Sequence, residues 1–67
     1  VLSITYAENL VVIHTLAGSA NAAAEAIDSM RWPEILGTMA GDNTIFVAVR
    51  SAAEAPVVVD KFHEILQ

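Results

Sequence analysis

The residues best suited to chemistry are carboxylates and amides gathered in two places. One is the stretch Gly37-Thr38-Met39-Ala40-Gly41-Asp42-Asn43-Thr44, where Asp42, Asn43 and Thr44 interrupt an otherwise apolar run. The other is Asn21 and Asp28, seven residues apart and therefore nearly two helical turns, so that both point in almost the same direction. Each has an ordinary reading. Asp and Asn form turns well, because they tolerate left-handed backbone and bond to their own main chain, and Asn21 with Asp28 fits a solvated helix face. Together they also fit a binding site. Carboxylates converging from two elements, in a chain with three cations (Arg31, Arg50, Lys61) against eight acids, suit a small cationic ligand whose charge relieves their repulsion.

Catalysis and metal binding find no support. The chain has no cysteine, and its two histidines, His14 and His63, fall in different elements with no spacing that completes a ligand set. Both read as structural. The serines occupy no nucleophile elbow, and Gly41 belongs to no phosphate-binding glycine loop. The expectation is no enzyme, no metal and no cofactor. A net charge of -5 leaves no basic stripe to neutralise phosphates, so these residues by themselves should not bind nucleic acid. No apolar run approaches the ~20 residues that cross a bilayer, and the start lacks a signal-peptide pattern. No membrane association and a cytoplasmic location are expected. The chain begins at Val1, already in strand-like sequence, which fits a segment of a longer protein whose other part carries the effector function.

The 67 residues suffice for one small unit spanning 1–67. Such a unit buries only ~60% of its unfolded surface. Hydrophobic residues make up 55% of it, but the aromatics are only Tyr6, Trp32, Phe46 and Phe62. Much apolar surface is thus small alanine and valine, more than two thin layers hide, which points to an oligomer.

The elements that must position the polar residues follow from periodicity. Leu2, Ile4 and Tyr6 alternate with Ser3 and Thr5, Ala7-Glu8-Asn9 suits a turn, and Leu10–Thr15 reads as a second strand. Ser19 is expected to cap a helix with its hydroxyl; Ala20, Ala23, Ala24 and Ile27 form that helix's apolar stripe and Asn21, Glu25 and Asp28 its polar one. Trp32-Pro33 should end it. Ile35–Ala40 and Thr44–Arg50 are the next strands, joined by Gly41-Asp42-Asn43. A closing helix carries Val58, Phe62, Ile65 and Leu66 inward, starting either from a Ser51–Glu54 capping box or from Pro56 in its first turn. The fold class is α+β, a two-layer ββαββα with a four-stranded, mostly antiparallel sheet and both helices on one face. The second strand and the fourth are apolar on both sides, so the uncovered face is a candidate for burial against a neighbouring subunit.

Residues Ile35 to Phe46, with Gly37-Thr38-Met39-Ala40-Gly41-Asp42-Asn43-Thr44 at their centre, closely resemble the G-T-x-A-G-D-D-T signature of the C-terminal domain of bacterial arginine repressors. His14-Thr15-Leu16-Ala17-Gly18 and Ile27-Asp28-Ser29 resemble that family's T-x-P-G and acidic helix segments, in the same order. The resemblance implies trimers that stack as two into a hexamer, with L-arginine as co-repressor at the trimer–trimer interface. Carried over by position, it makes Asp42 the first choice for the guanidinium contact, with Asn21, Asp28, Ala40, Asn43 and Thr44 completing the pocket. Operator DNA would be met only by an N-terminal domain outside these residues. Three positions depart from the pattern: Asn43 replaces a second aspartate, Asn21 a glutamine and Ala17 a proline. The first removes a charge, and charge-assisted bonds are worth roughly 1.5–3 kcal/mol against roughly 1 for neutral ones; an arginine affinity lower by about an order of magnitude, a pocket tuned to a different amino acid, and an unliganded hexamer relieved of repulsion all stay open. Two other assignments compete: a regulatory amino-acid-binding module of a metabolic enzyme, and an assembly domain with lost or altered ligand specificity.

Overall fold

A computed structural model describes residues 1–66; Gln67, the last residue of the unit expected over 1–67, lies outside the described residues. The elements are β1 (Ser3–Ala7), β2 (Leu10–His14), α1 (Ala20–Met30), β3 (Ile35–Ala40), β4 (Thr44–Val49) and α2 (Ala55–Leu66). The order ββαββα and the α+β class agree with the sequence reading. All three strand pairings are antiparallel, in the sheet order β1-β2-β4-β3. The two most apolar strands, β2 and β4, therefore sit in the middle, where both their edges are hydrogen-bonded and neither is open to water.

Register fixes which side chains share a face, because residues directly opposite in an antiparallel pair point the same way. Ile4, Ile13 and Ile45 form one row, and Val11 and Val47 the next; with Val49 all are buried. Both helices lie over this face, α1 nearer β3 and β4, α2 nearer β1 and β2. They contribute Ala20, Ala24 and Ile27 from α1 and Ala55, Val58, Val59 and Phe62 from α2. The alanines let α1 approach the sheet closely. The opposite face carries Thr5, Val12, Phe46 and Met39 in one continuous row. Phe46 is 50% and Met39 74% exposed, so the face expected to lie open does so within one chain. A register shift between Ile35 and Gly37 throws Leu36 outward as well.

Several local expectations are corrected. Ser19 occupies the N-cap position of α1, but its backbone is αR (φ -100°, ψ -9°) and its hydroxyl makes no cap bond. A capping hydroxyl reaches the helix N–H groups from extended backbone, which Ser19 lacks. Helix α1 stops at Met30, before Trp32-Pro33, because Arg31 turns left-handed (φ 54°) and returns its N–H to the Asp28 carbonyl. The fourth strand ends at Val49, although the Arg50 N–H still reaches the Glu34 carbonyl at 3.0 Å. At α2 the proline reading holds. The Glu54 N–H bonds to the Ser51 carbonyl in a separate turn, and the helix proper begins at Ala55-Pro56.

The turn after α1 is fastened to α2 by a small aromatic and charged cluster. Trp32 stacks on Phe62 with centroids 5.4 Å apart, Lys61 Nζ lies 5.0 Å from the Trp32 ring, and the same ammonium pairs with Glu34. The hydrogen bond from Lys61, helped by a backbone bond, holds the Glu34 carboxyl below the usual carboxylate range. A lowered folded-state pKa contributes stability that is present above the unfolded value and lost as pH falls through the folded one. Wild type is accordingly expected to lose more stability than Glu34→Gln in urea titrations stepped from pH 6 to below pH 4. Parallel losses in the two proteins would show that this pair does not act on stability.

Candidate functional site

The signature stretch runs along β3 and turns at Gly41-Asp42-Asn43 into β4. Its turn is closed by the Gly41 N–H on the Thr44 carbonyl, 2.9 Å. What anchors it is the loop between β2 and α1. The Gly18 N–H donates to the Asp42 carbonyl at 2.9 Å, and the Thr15 N–H to the Asn43 carbonyl at 2.8 Å. Gly18 sits at φ +82°, backbone that side chains rarely adopt, which explains the glycine of the Leu16-Ala17-Gly18 loop. Among the described residues Thr15 is the one buried polar residue, its hydroxyl spent on the Leu16 carbonyl.

This anchoring separates two roles of the same residues. The fold uses the carbonyls of Asp42 and Asn43, and both residues remain exposed. Among the described residues, no hydrogen bond or ion pair is made by the Asp42 carboxylate. Asp42 and Asn43 both keep negative φ, so the turn does not draw on the left-handed backbone that these residue types tolerate. Asn43 is engaged on one side: Thr44 Oγ1 donates to its Oδ1 at 3.0 Å, and His14 Nδ1 lies 3.4 Å from the same hydroxyl.

The remaining predicted residues fall into three places. Asn21 is the second residue of α1, exposed, just beyond the loop that grips the turn. Asp28 lies seven residues further, roughly 10 Å along the helix axis, where its Oδ1 accepts from Thr38 Oγ1 at 2.9 Å. Thr38 in turn precedes Asp42 by four residues, roughly 13 Å of strand. Ala40 and Thr44 border an open depression of about 280 Å³, lined also by Met39, Gly41 and Phe46. One chain thus gathers Asp42, Asn43 and Thr44 at the hairpin tip with Ala40 beside them, and holds Asp28 apart near the far end of α1.

Sequence reasoning passed over His14 and Thr38. His14, which the sequence reads as structural, stands opposite Thr44 in the β2–β4 register, a placement that is visible only once the strand order is known. Thr38 lies inside the signature, but its bond to Asp28 depends on how α1 crosses β3. Among the described residues no group of three or more His, Cys, Asp or Glu side chains is arranged to hold a metal ion, and no helix is long and apolar enough to cross a membrane.

Residues 1–64 match the protein family described as "Arginine repressor, C-terminal domain". Among curated proteins, the chain is 49% identical over 67 residues to the arginine repressor of Thermoanaerobacter sp. (strain X514), covering 100% of this chain and 45% of that protein. It is 48% identical over 66 residues to that of Syntrophomonas wolfei, covering 98% and 43%. With the arginine repressor of Caldicellulosiruptor saccharolyticus the identity is 52% over 60 residues, covering 90% and 40%. The chain spans less than half the length of these relatives.

Proposed function

The chain belongs to the arginine repressor family, as its C-terminal domain, and from that premise we propose that it is the ligand-sensing and assembly segment of an arginine-responsive transcriptional repressor. In this reading L-arginine is a co-repressor ligand and not a cofactor, and no catalysis takes place: the relatives are named as repressors, which are regulators and not enzymes. The observation that carries the reading is the Asp42 carboxylate, exposed and without a partner among the described residues, on a turn whose own backbone is locked from behind. A carboxylate so placed accepts bidentate bonds from a guanidinium. Asn43, Thr44, Ala40 and Asn21 border the same end of the molecule, and Asp28 completes the pocket only when a second subunit brings its own surface to it. Binding between two trimers converts ligand affinity into assembly energy, because a ligand bound only by the hexamer favours it by mass action. In the row of Thr5, Val12, Phe46 and Met39, the exposed Phe46 and Met39 supply apolar surface for contacts within the trimer. A cytoplasmic hexamer then presents several copies of an N-terminal DNA-binding domain, lying outside this chain, to operator DNA.

Native mass spectrometry of the full-length protein tests the reading. L-arginine at millimolar concentration should shift trimers to hexamers. A mass distribution that ignores arginine at every concentration would contradict it. Asn43 favours a second reading of the same site, with altered ligand specificity, since it is the one position at the tip where a charge has been exchanged for an amide.

A further inference from the structure

The sheet face that the helices leave uncovered carries rows of side chains set by the strand register. The row of Thr5, Val12, Phe46 and Met39 is flanked by Ala7, Leu10, Ala48 and Gly37 on one side and by Ser3, His14 and Thr44 on the other. Among all of these only His14 ionises. The ionisable groups of the neighbouring elements lie elsewhere. Glu8 and Asp42 occupy the turns at the two ends of the sheet, Tyr6 shares the helix-covered side with Ile4, and Arg50, just past β4, donates to the Pro33 carbonyl. The other acids and cations, and His63, belong to α1, α2 and the segments that adjoin them. His14 itself is exposed, makes no ion pair among the described residues, and has the Thr44 hydroxyl 3.4 Å from its Nδ1.

A neutral imidazole and a hydroxyl can be covered together, because each offers the other a hydrogen-bonding partner. An imidazolium covered without a carboxylate is costly. In the proposed trimer, a sheet face buried between subunits and turned to the threefold axis meets the same face of its neighbours. Each His14 then finds no carboxylate across the contact, and the other copies of His14 stand at the same height along the axis. Desolvation and like charge both oppose protonation there. In a free subunit water carries the charge, and an imidazole in water takes up its proton at about pH 6.5. Acid therefore favours the separated subunits, which bind the proton more readily. We infer that His14 makes the contact between subunits acid-sensitive: the subunits join through this face above about pH 7 and separate as His14 takes up its proton below about pH 6.5. The inference rests on the proposed reading of this face as the contact within the trimer.

Sedimentation equilibrium of the full-length protein without added amino acid, at pH 8 and pH 5.5, on wild type and on His14→Gln, tests it. Glutamine keeps a hydrogen-bonding group for Thr44 and carries no charge at either pH. One unit below pH 6.5 an exposed imidazole is about nine-tenths protonated, so exclusion of that proton weakens association by up to about tenfold for each of three subunits. Wild type should lose at least about 100-fold in trimer association between the two pH values, and His14→Gln at least about tenfold less than wild type. Histidines outside this segment are the same in both proteins and cancel in the comparison. Equal pH dependence in the two proteins, or trimers that tighten as pH falls, overturns the inference and leaves the trimer in place. Calorimetric dilution of wild-type trimers at pH 6, repeated in buffers of different ionisation enthalpy, counts the protons without any substitution. Net uptake on dissociation is expected, and no uptake or a release overturns the inference. A wild type that is monomeric at both pH values contradicts the trimer itself, and the inference falls with it.

Discussion

Asp42→Ala is expected to abolish amino-acid-linked assembly at ligand concentrations that saturate wild type, while leaving the subunit folded. The separation is unusually clean because the fold uses only the backbone of this residue. The Gly18 N–H donates to the Asp42 carbonyl at 2.9 Å, a bond that alanine retains, and Asp42 has no positive φ that a substitution would strain. The carboxylate itself is exposed and touches no partner within the described residues. Its loss removes hydrogen bonds between charged groups, worth about 1.5–3 kcal/mol. That corresponds to roughly 10- to 150-fold in affinity. Calorimetry should show this loss beside an unchanged far-ultraviolet circular dichroism spectrum and a thermal midpoint within a degree or two of wild type without ligand. Unchanged affinity in this variant would remove Asp42 from the site.

Phe62→Ala is expected to do the opposite: unfold the subunit with no direct effect on the tip. Phe62 is fully buried and stacks on Trp32, so it joins α2 both to the sheet and to the turn that follows α1. Truncating a buried phenylalanine costs about 3–5 kcal/mol, the lost transfer energy plus the cavity left behind. At about 0.05–0.15 kcal/mol per residue, a domain of this size holds roughly 3–10 kcal/mol in all. The variant should therefore be largely unfolded as an isolated segment. In the full-length protein its urea midpoint should fall sharply, to a degree that depends on protein concentration, because assembly stabilises whatever folded subunits remain. A midpoint shift corresponding to under 1 kcal/mol would mean that the site collapses without a cavity and that the core depends on other residues.

The two variants also show which features the sequence made legible. Periodicity groups Val58, Phe62, Ile65 and Leu66 on α2, of which the structure turns all but Ile65, 47% exposed, towards the core, and alternation places Ile45, Val47 and Val49 on one side of β4, because burial of apolar surface is what those patterns encode. The element order and the exposure of Phe46 follow from the same logic. Polar detail was less legible. Ser19 suits an N-cap by type, yet its hydroxyl makes no cap bond, since the loop that grips the hairpin tip dictates its backbone. Arg31 ends α1 in a left-handed conformation that arginine does not announce. Likewise the Thr38–Asp28 bond and the His14–Thr44 approach join residues 10 and 30 positions apart. Pairings of that range depend on strand order and helix placement, which no local pattern reports. At the hairpin tip the family signature singles out Asp42, and the structure adds that the turn is held through the carbonyls of Asp42 and Asn43, with no partner for the Asp42 side chain among the described residues.

The central claim is that the outward carboxylate of Asp42 meets an amino acid at an interface between subunits. The most direct measurement is a crystal structure of the full-length protein grown with L-arginine in excess. The account predicts ligand density within hydrogen-bonding distance of the Asp42 carboxylate, between two copies of the Gly41–Thr44 turn or against a neighbouring subunit's surface. An assembled oligomer with the ligand bound elsewhere, and Asp42 facing only solvent, would contradict it.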